Sequence, residues 1–380
     1  MPSPDVVFAL TGDVRRNSRA LKQLRALAAL GATVEVLTFG PPADDPSLEE
    51  GIRLRVLHRP PGSGPRLFAR VHRLFAQAAR QIPARVYHAS DLYTLPALHA
   101  AAQRHGGRLV YDARELYPFV ASTARRPWVR GFWRFVEGRH IRHADAVFTV
   151  SESIADRLAQ TYGVPRPLVL HNVPPYRAVT SSGYLRAQTG AAPDTVVLLH
   201  QGQIQRGRGG ALLADAMREV QGAVLVFLGG GSLKPTLQQQ VATVGLGDRV
   251  RFLDPVPPDA LLPVTASADV GITLLEDTCL NHRFALPNKL FEYLMARLPV
   301  LASDLPEIRG VVETFDVGCV VDPADRAALV KMLQHMVDDN EARARWAAHA
   351  PRVFETFSWE KASQRFTQTY QDFLNGTAAP

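Results

Sequence analysis

Short apolar runs alternate with amphipathic helical patterns along almost the whole chain, and the alternation is interrupted once, at residues 173–193. The apolar runs are β-branched and bounded by Gly, Pro or polar clusters, which is typical of strands. Two of the helical patterns, NSRALKQLRALAALG and SESIADRLAQTYG, begin with a polar cap candidate and end on glycine. Alternation of this kind predicts parallel sheets that are covered by helices on both faces.

The interruption divides the chain into two halves. Residues 173–193 are rich in Pro, Ser and Gly, as linkers are, and 380 residues are more than one ordinary core holds. We therefore predict an α/β fold with two doubly wound, Rossmann-like domains that face each other across a ligand cleft. The predicted parts are an N-terminal domain 1–175, a linker 176–193, a C-terminal domain 194–357, and a helix from Ser358 within 358–380 that crosses back to the N-terminal domain.

Composition narrows the class of protein. A hydrophobic content of 46% with 21% charged residues is typical of soluble globular proteins. No apolar run approaches the roughly 20 residues that span a bilayer, and the first residues lack a signal-type pattern, so we expect a cytoplasmic protein. Cys279 and Cys319 have neither disulfide-framework nor metal-type spacing, and no H-E-x-x-H or strand-following Asp-x-Asp motif is present. We expect no metal.

Positive charge is concentrated in the first half. Residues 1–175 contain 24 Lys+Arg and 14 Asp+Glu, whereas the remainder contains 19 and 22. Such asymmetry indicates a polyanionic partner, an anionic membrane, or simply a solvated basic face. Residues 124–143 interleave arginines with aromatic residues, which suits an interfacial membrane helix, a nucleic-acid surface, or a helix with its aromatic side chains in the core. The aromatic residues are Trp128, Phe132, Trp133 and Phe135.

A glycine-rich segment, HQGQIQRGRGGALLADA, joins a predicted strand to a predicted helix. Its glycines permit close approach of the backbone, and the helix N-terminus offers free N–H groups. Arg206 and Arg208 add charges that match phosphate oxygens. The segment is neither a Walker loop nor a dinucleotide fingerprint, so it is either a diphosphate-binding loop or a glycine-rich turn with exposed arginines. FLGGGSLK supplies a second glycine cluster after the next predicted strand.

The segment FALPNKLFEY contains one of only 5 lysines, in a chain with 38 arginines. Lysine carries a compact point charge, whereas arginine carries a planar fork, so Lys289 is a candidate for a single, defined anion contact. Pro287 is suited to the first helical position, which places Lys289 in the first turn. Glu292 follows and can accept hydrogen bonds from two sugar hydroxyls. A surface lysine on an ordinary helix is the alternative.

Four segments, in their order along the chain, resemble the donor-binding half of glycosyltransferase family 4: GQIQRGRG, LGGG, RVRFLDPVP and ALPNKLFEYLMARLPVLASDLPE. Members of this family are retaining, metal-independent enzymes of the GT-B fold. In the first half, three segments are similar to stretches in a bacterial, polysaccharide-type branch of that family: RRNSRALKQLRALAALGATVEVLT, VYHASDLYTLPALHAA and YDARELY. The resemblance implies a hexosyl-type transferase that uses a UDP-sugar and a glycan or lipid-linked acceptor in cell-envelope biosynthesis. It further implies no cofactor beyond the donor, no nucleic acid, and work close to an anionic membrane surface.

The resemblance also implies roles for individual residues. Arg208 and Lys289 match the two cations that bind the diphosphate and stabilise the leaving group, and Glu292 matches the ribose-binding glutamate. Phe284 replaces the family's first glutamate, which faces the transferred sugar. The other residues expected around the donor are Gly12, Gly202, Gln203, Arg206, Gly209, Gly229, Gly230, Val256, Glu276, Asn281, Leu286, Pro287 and Asn288, of which Glu276 and Asn281 can replace the missing glutamate.

Carboxylates of the N-terminal half form a second candidate group. At the predicted strand ends of this half lie Gly12, His88, Asp91, Asp112 and Glu115. A carboxylate at such a strand end can orient an acceptor hydroxyl. Asp91 and Asp112 are also candidates for capping the helices that follow.

Two further expectations concern the helix end and the rival functions. Arg297 stands where the family commonly ends the helix with glycine, so we expect a left-handed conformation there. The alternatives to a transferase are a nucleotide-sugar epimerase of the same fold and a catalytically silent subunit that binds a polyanion or a membrane.

Overall fold

A computed structural model describes residues 3–41 and 47–376, and the remaining positions of the predicted N-terminal domain and C-terminal helix lie outside the described residues. The chain forms two compact units. The first contains residues up to His171 and those from Glu360 onward, and the second runs from Asn172 to Trp359. The segment that was predicted as a linker groups with the second unit, because Leu185 is buried in its core.

The first unit is built on an eight-stranded sheet. Its strands are β1 (Val6–Ala9), β2 (Val34–Phe39), β3 (Ser47–Glu49), β4 (Ile52–Leu57), β5 (Val86–Ala89), β6 (Arg108–Ala113), β7 (Ala146–Thr149) and β8 (Leu168–Val169). The spatial order is β3-β4-β2-β1-β5-β6-β7-β8, and only the β3–β4 pair is antiparallel among these neighbours. Strands β1, β2 and β5 are buried at every position, as expected for strands that are covered on both faces.

Within the described residues, five α-helices accompany these strands before the chain leaves the unit. The side chain of Asn17 accepts a hydrogen bond from the backbone N–H of Ala20 and so caps the first of them. Ser151 caps the fifth in the same way, and that helix ends at Gly163, whose φ is 61°. The helices are α1 (Ser18–Ala29), α2 (Gly64–Ala79), α3 (Leu95–His105), α4 (Pro127–Ile141) and α5 (Glu152–Tyr162).

The second unit is built on a six-stranded sheet. Its strands are β9 (Val196–Gln201), β10 (Ala223–Leu228), β11 (Val250–Leu253), β12 (Val270–Thr273), β13 (Val300–Ser303) and β14 (Gly318–Val321), of which the sequence analysis missed β14. The order is β11-β10-β9-β12-β13-β14, and each neighbouring pair is parallel. The chain runs outward from β9 to β11 and then returns to the other side of β9. The direction of winding therefore reverses between β9 and β12, where ligands bind in sheets of this kind.

Nine helices belong to the second unit. They are α6 (Tyr184–Thr189), α7 (Gly210–Ala216), α8 (Lys234–Thr243), α9 (Pro258–Thr265), α10 (Leu280–Arg283), α11 (Asn288–Met295), α12 (Pro306–Phe315), α13 (Arg326–Asp338) and α14 (Asn340–His349), counted within the described residues. Helix α11 begins at Asn288, one residue later than the sequence pattern indicated, because Pro287 is its extended N-cap residue.

The last helix, α15 (Trp359–Asn375), belongs to the first unit. Phe366 and Tyr370 are fully buried, and the Tyr370 hydroxyl lies 2.6 Å from Nδ1 of His88 on β5. The chain thus returns to its N-terminal part, as the pattern after Ser358 predicted.

Helix α11 ends in a left-handed residue that is not glycine. Arg297 has a φ of 56°, which confirms the expectation from the sequence. The N–H of Leu298 donates to the carbonyl of Tyr293 (2.9 Å) and that of Arg297 to Leu294 (3.0 Å), which is the Schellman pattern of helix termination. A side chain with a Cβ is strained there by roughly 1 kcal/mol.

We expect Arg297→Gly to leave the melting temperature unchanged or to raise it, because glycine removes this strain. Arg297→Ala keeps the Cβ and the strain while it removes the guanidinium, so it is the matched control and should melt like the wild type. Differential scanning calorimetry measures both. A clear drop in Arg297→Ala would show instead that the guanidinium makes a stabilising tertiary contact.

Candidate functional site

The predicted donor-side residues lie at the carboxyl edge of the six-stranded sheet, around the point where the winding reverses. Gly202 follows β9, Gly229 follows β10 and Glu276 comes shortly after β12, and these three strands are neighbours. Helix α11 starts from the same region, since Tyr293 on it contacts both β9 and β12. The fold therefore brings together side chains that are as much as 91 positions apart in the sequence.

The two glycine clusters lie directly against each other. The N–H of Gly202 donates to the carbonyl of Leu228 (2.9 Å), and that of Ile204 donates to Gly230 (2.8 Å). A Cβ on Gly229 would lie 2.0 Å from the carbonyl oxygen of Gly202, so this position requires glycine. The loop that begins at Gly202 is thus held by backbone contacts.

The end of the first loop is equally restricted. A Cβ on Gly209, whose φ is 70°, would lie 2.4 Å from Cβ of Leu274. The N–H of Gly209 donates to Oε1 of Glu276 (3.2 Å), and the N–H of Glu276 donates to the carbonyl of Gly207 (3.1 Å). Glu276 therefore binds the glycine-rich loop. The sequence analysis had placed it near the transferred sugar.

Tyr293 anchors helix α11 to the sheet. Its hydroxyl donates to the carbonyl of Ile272 (3.1 Å) and accepts from the N–H of Gln201 (2.9 Å). Its ring lies over Gly271, where a Cβ would approach to 2.3 Å. The sequence analysis missed this residue, because a tyrosine on a helix gives no signal of such a contact. The anchor fixes the position of the amino end of α11.

Glu292 is half-buried on the same helix. Its Oε2 accepts a hydrogen bond from Nε2 of Gln201 (2.5 Å), and Oε1 of Gln201 in turn accepts from the hydroxyl of Thr265 (2.7 Å). Burial raises the pKa of Glu292. Gln201 therefore engages one carboxylate oxygen of Glu292. Sequence reasoning did not predict this contact, although the polar pair His200 and Gln201 at the end of an apolar strand is a signal that could have indicated it.

Glu292 also lines a cavity of about 270 Å³. Its other walls come from α9, from the carboxyl end of α11 and from the segment that precedes α6. They include Pro174, Arg177, Pro258, Leu261 and Met295. The cavity is large enough for part of a small ligand beside the carboxylate.

Lys289, in the first turn of α11, is half-buried and lies near a second cation, Arg208. Burial, together with the positive charge of Arg208, lowers the pKa of Lys289 to about 7, and the charge of Glu292 opposes the shift. His200 is close enough to both cations to feel their charges, and it is fully buried. Neither of its ring nitrogens is hydrogen-bonded within the described residues. Burial and the charges of Lys289 and Arg208 hold the pKa of His200 well below its usual value, so His200 is neutral.

Lys289 belongs to the first turn of α11, whose N–H groups have no partner within the helix. A helix N-terminus with two cations nearby is suited to an anion, because the helix dipole and both side chains favour negative charge. Arg208, proposed from the sequence as the partner of Lys289 in diphosphate binding, is close enough to lower the pKa of Lys289.

The remaining donor-side candidates occupy varied environments. Arg206 and Gln203 are exposed on the loop, whereas Leu286 is buried in the core and Val256 is half-buried against it. Asn288 is half-buried at the start of α11. Asn281 is half-buried on α10, and Phe284 is the residue that ends this helix.

Asp112, predicted to act on an acceptor, has a structural environment instead. It is fully buried; Arg19 donates to both of its oxygens (2.8 and 2.7 Å), and Gln23 donates to one of them (2.8 Å). Burial raises the pKa of Asp112, but the Arg19 guanidinium outweighs this effect and holds it below its usual value. A carboxylate in this ion pair has no surface for a substrate, so its assignment as an acceptor-binding residue is corrected.

Asp91 is corrected for the same reason. Its Oδ2 accepts from the N–H (2.6 Å) and hydroxyl (2.8 Å) of Thr11, and its Oδ1 accepts from the N–H of Thr94 (2.9 Å) just before α3. His88 is buried and stacks on Phe8 (4.3 Å between ring centres), and burial lowers its pKa to about 3.

Gly12 and Glu115 complete the candidates of the first unit. The Gly12 carbonyl accepts from the Thr38 hydroxyl (2.5 Å) and the Phe39 N–H (3.0 Å). Among the three carboxylates proposed there, Glu115 is exposed and remains accessible to a substrate.

The aromatic residues of α4 divide between core and surface. Trp133 packs against Phe68 (4.9 Å) and Tyr93 (5.1 Å), as the core interpretation predicted. The other three are exposed, with fractions of 81% for Trp128, 57% for Phe132 and 72% for Phe135. Such large apolar side chains on a basic helix mark an interaction surface.

Residues 3–41 and 47–376 contain neither a metal-binding group of side chains nor a helix that could span a membrane. In these ranges, no three His, Cys, Asp or Glu side chains form a group that could hold a metal ion. No helix there has the length and apolar content needed to cross a bilayer.

Comparison with known proteins identifies both halves of the chain. A family model for a glycosyl transferase 4-like domain matches residues 17–175, and one for glycosyl transferases group 1 matches residues 195–339. A D-inositol 3-phosphate glycosyltransferase of Xylanimonas cellulosilytica is 27% identical over 95% of this chain and 92% of its own length.

Solved structures share the fold. The sucrose-phosphate synthase of Thermosynechococcus elongatus has a TM-score of 0.81 at 20% identity and covers 98% of this chain and 99% of its own. Anabaena HepE in complex with UDP and glucose has a TM-score of 0.73 at 20% identity, with 97% and 100% covered.

Proposed function

This chain belongs to glycosyltransferase family 4 of the GT-B fold, and on that premise we propose that it transfers a hexosyl group from a UDP-sugar to a glycan or lipid-linked acceptor. The proposed transfer retains the configuration of the anomeric carbon and serves cell-envelope polysaccharide or glycoconjugate biosynthesis. The observation that carries the proposal is the proximity of Arg208 and Lys289 at the amino end of α11. The choice of UDP is supported by the complex of the similar HepE fold with UDP and glucose.

The two cations supply the main catalytic effect. As the bond between the sugar's anomeric carbon and the diphosphate breaks, negative charge grows on the leaving diphosphate. Arg208, Lys289 and the first-turn N–H groups of α11 are positioned to stabilise that charge in a partly water-excluded site. Because protein cations and amides supply the compensating positive charge, we propose that the reaction needs no metal ion and no cofactor beyond the donor.

Glu292 is assigned to the ribose of the donor. Its position beside the 270 Å³ cavity, with one oxygen held by Gln201, fixes the direction of the other oxygen. That oxygen can accept hydrogen bonds from ribose hydroxyls.

No side-chain base is required on the acceptor side. Asp91 and Asp112 are buried in structural hydrogen bonds, so neither is available to take the acceptor's proton. We propose that an oxygen of the leaving phosphate takes it on the same face of the sugar. Glu115, which is exposed, is left to orient the acceptor hydroxyl.

Phe284, in place of the family's first glutamate, favours a second candidate function. A chain that binds the donor without turning it over would be a silent partner subunit. Slow hydrolysis of the UDP-sugar without acceptor would identify a transferase, and its complete absence alongside tight UDP binding would identify the silent subunit.

We expect Lys289→Ala to weaken UDP binding and to reduce turnover by on the order of a hundredfold or more, because the leaving group carries more charge in the transition state than in the bound donor. Lys289→Arg should also be damaging, since a forked and longer head cannot occupy the same half-buried point. Calorimetric titration with UDP and a UDP-sugar turnover assay measure both effects. Lys331, exposed on α13, provides the matched control Lys331→Ala, which should behave like the wild type.

Glu292→Gln in the same assays should weaken UDP binding but leave pyrophosphate binding nearly unchanged, because its partner is the ribose. Wild-type affinity and turnover in both Lys289 variants would contradict the assignment of the donor site.

We further propose that the first unit binds an anionic membrane surface through α4. Trp128, Phe132 and Phe135 are exposed there, and the same half of the chain carries the excess of Lys+Arg. Aromatic side chains enter the interface while arginines meet lipid phosphates.

Binding to vesicles should therefore require anionic lipid and weaken with salt, since surface electrostatics are screened within about 8 Å at physiological ionic strength. Co-sedimentation with anionic and neutral vesicles at two salt concentrations measures this. Equal binding to both lipids, or none to anionic vesicles at low salt, would remove the membrane proposal.

A further inference from the structure

The first unit contains a cavity that takes no part in the donor site. It lies between α2 and α4 and has a volume of about 590 Å³, which is within the range of sites for small molecules. Its walls include Phe68 and Ala69 from α2 and Val129, Trp133 and Val136 from α4. Nearly all of the lining is carbon.

The few polar groups that line the cavity are mostly uncharged at neutral pH. Burial lowers the pKa of His140 to about 4 and also lowers that of His72. Nδ1 of His140 already hydrogen-bonds to Nδ1 of His99 (2.7 Å). A sugar or nucleotide here would lose water without gaining enough partners for its polar groups, so the cavity selects an apolar ligand.

The rim of the cavity is apolar and basic. Trp128 and Phe132 line it and are exposed, and Arg126 lines it at the residue before α4. Arg66, exposed on α2, directly follows Pro65, which also lines the cavity. An apolar cavity with positive charge at its opening is complementary to an amphiphile that has a hydrocarbon chain and an anionic head.

We propose that this cavity binds the hydrocarbon chain of a lipid-phosphate acceptor. The inference rests on the proposed function only in treating the chain as part of the acceptor. The enzyme then recognises two parts of one substrate: the chain between α2 and α4, and the hydroxyl that receives the sugar. The exposed Trp128 and Phe132 are placed where such a chain would leave the bilayer.

The test uses hexyl, octyl and decyl phosphate below their micelle concentrations, titrated calorimetrically into the full chain, with inorganic phosphate as the headgroup control. Each added methylene that enters the cavity should tighten binding by about fourfold, the equivalent of about 0.8 kcal/mol. Inorganic phosphate should bind far more weakly than the decyl compound.

Ala69→Phe fills the cavity without touching the core, because Ala69 is exposed at its wall. It should weaken decyl phosphate binding by about 15-fold, the equivalent of two methylenes. Gln77→Phe introduces the same side chain at an exposed position of α2 outside the cavity, and it should bind decyl phosphate like the wild type. Melting curves verify that both variants fold.

Affinity that does not depend on chain length, or an Ala69→Phe variant that binds decyl phosphate normally, would overturn the proposal. So would a wild-type dimer in sedimentation velocity that Ala69→Phe dissociates, because a second copy would then cover this face. UDP is titrated in parallel: failure of UDP to bind would refute the proposed donor site, whereas chain-length dependence would still support the cavity as a hydrocarbon site.

Discussion

Repulsion between Arg208 and Lys289 is the constraint on which the donor site depends. The fold holds both cations near the fully buried, neutral His200, at a helix end whose N–H groups are also positive. Burial and Arg208 lower the pKa of Lys289 to about 7, so the site without a ligand resists full protonation. In the proposed mechanism, a bound diphosphate removes this cost, and it removes more as charge accumulates on the leaving group. The proposal thus assigns donor binding and catalysis to the same arrangement.

Close backbone contacts keep the repelling groups in place. Gly229 and Gly209 lie where any Cβ would collide with Gly202 and Leu274, so the glycine-rich loop is fixed by strands on either side. Tyr293 ties α11 to β9 and β12 through its hydroxyl. A preorganised site of this kind does not have to reorganise when a reaction develops charge, and the proposed mechanism relies on this property.

Apolar periodicity, which is a local signal, was sufficient for every strand of the two sheets except β3 and β14 and for the C-terminal helix. The left-handed Arg297 was expected from the family resemblance, since the family commonly has glycine at this position. The rarity of lysine in this chain also makes Lys289 a candidate for an anion contact, which stays a prediction. Sequence reasoning failed where a role depends on a distant partner. Asp112 resembles a catalytic carboxylate until Arg19, 93 positions earlier, is brought onto it, and Gln201 acquires its role only when β9 meets α9 and α11.

Proton uptake on UDP binding tests the central claim most directly. At pH 8, Lys289 in the free protein is mostly neutral, since its pKa is about 7, whereas the phosphates of UDP are already ionised, their second pKa being about 6. Binding raises the pKa of Lys289, so close to one proton should be taken up at pH 8 and much less at pH 6. Calorimetry in buffers of different ionisation enthalpy measures the number of protons. Uptake that disappears in Lys289→Arg is the predicted result; no uptake in the wild type, or equal uptake in the variant, would contradict the account.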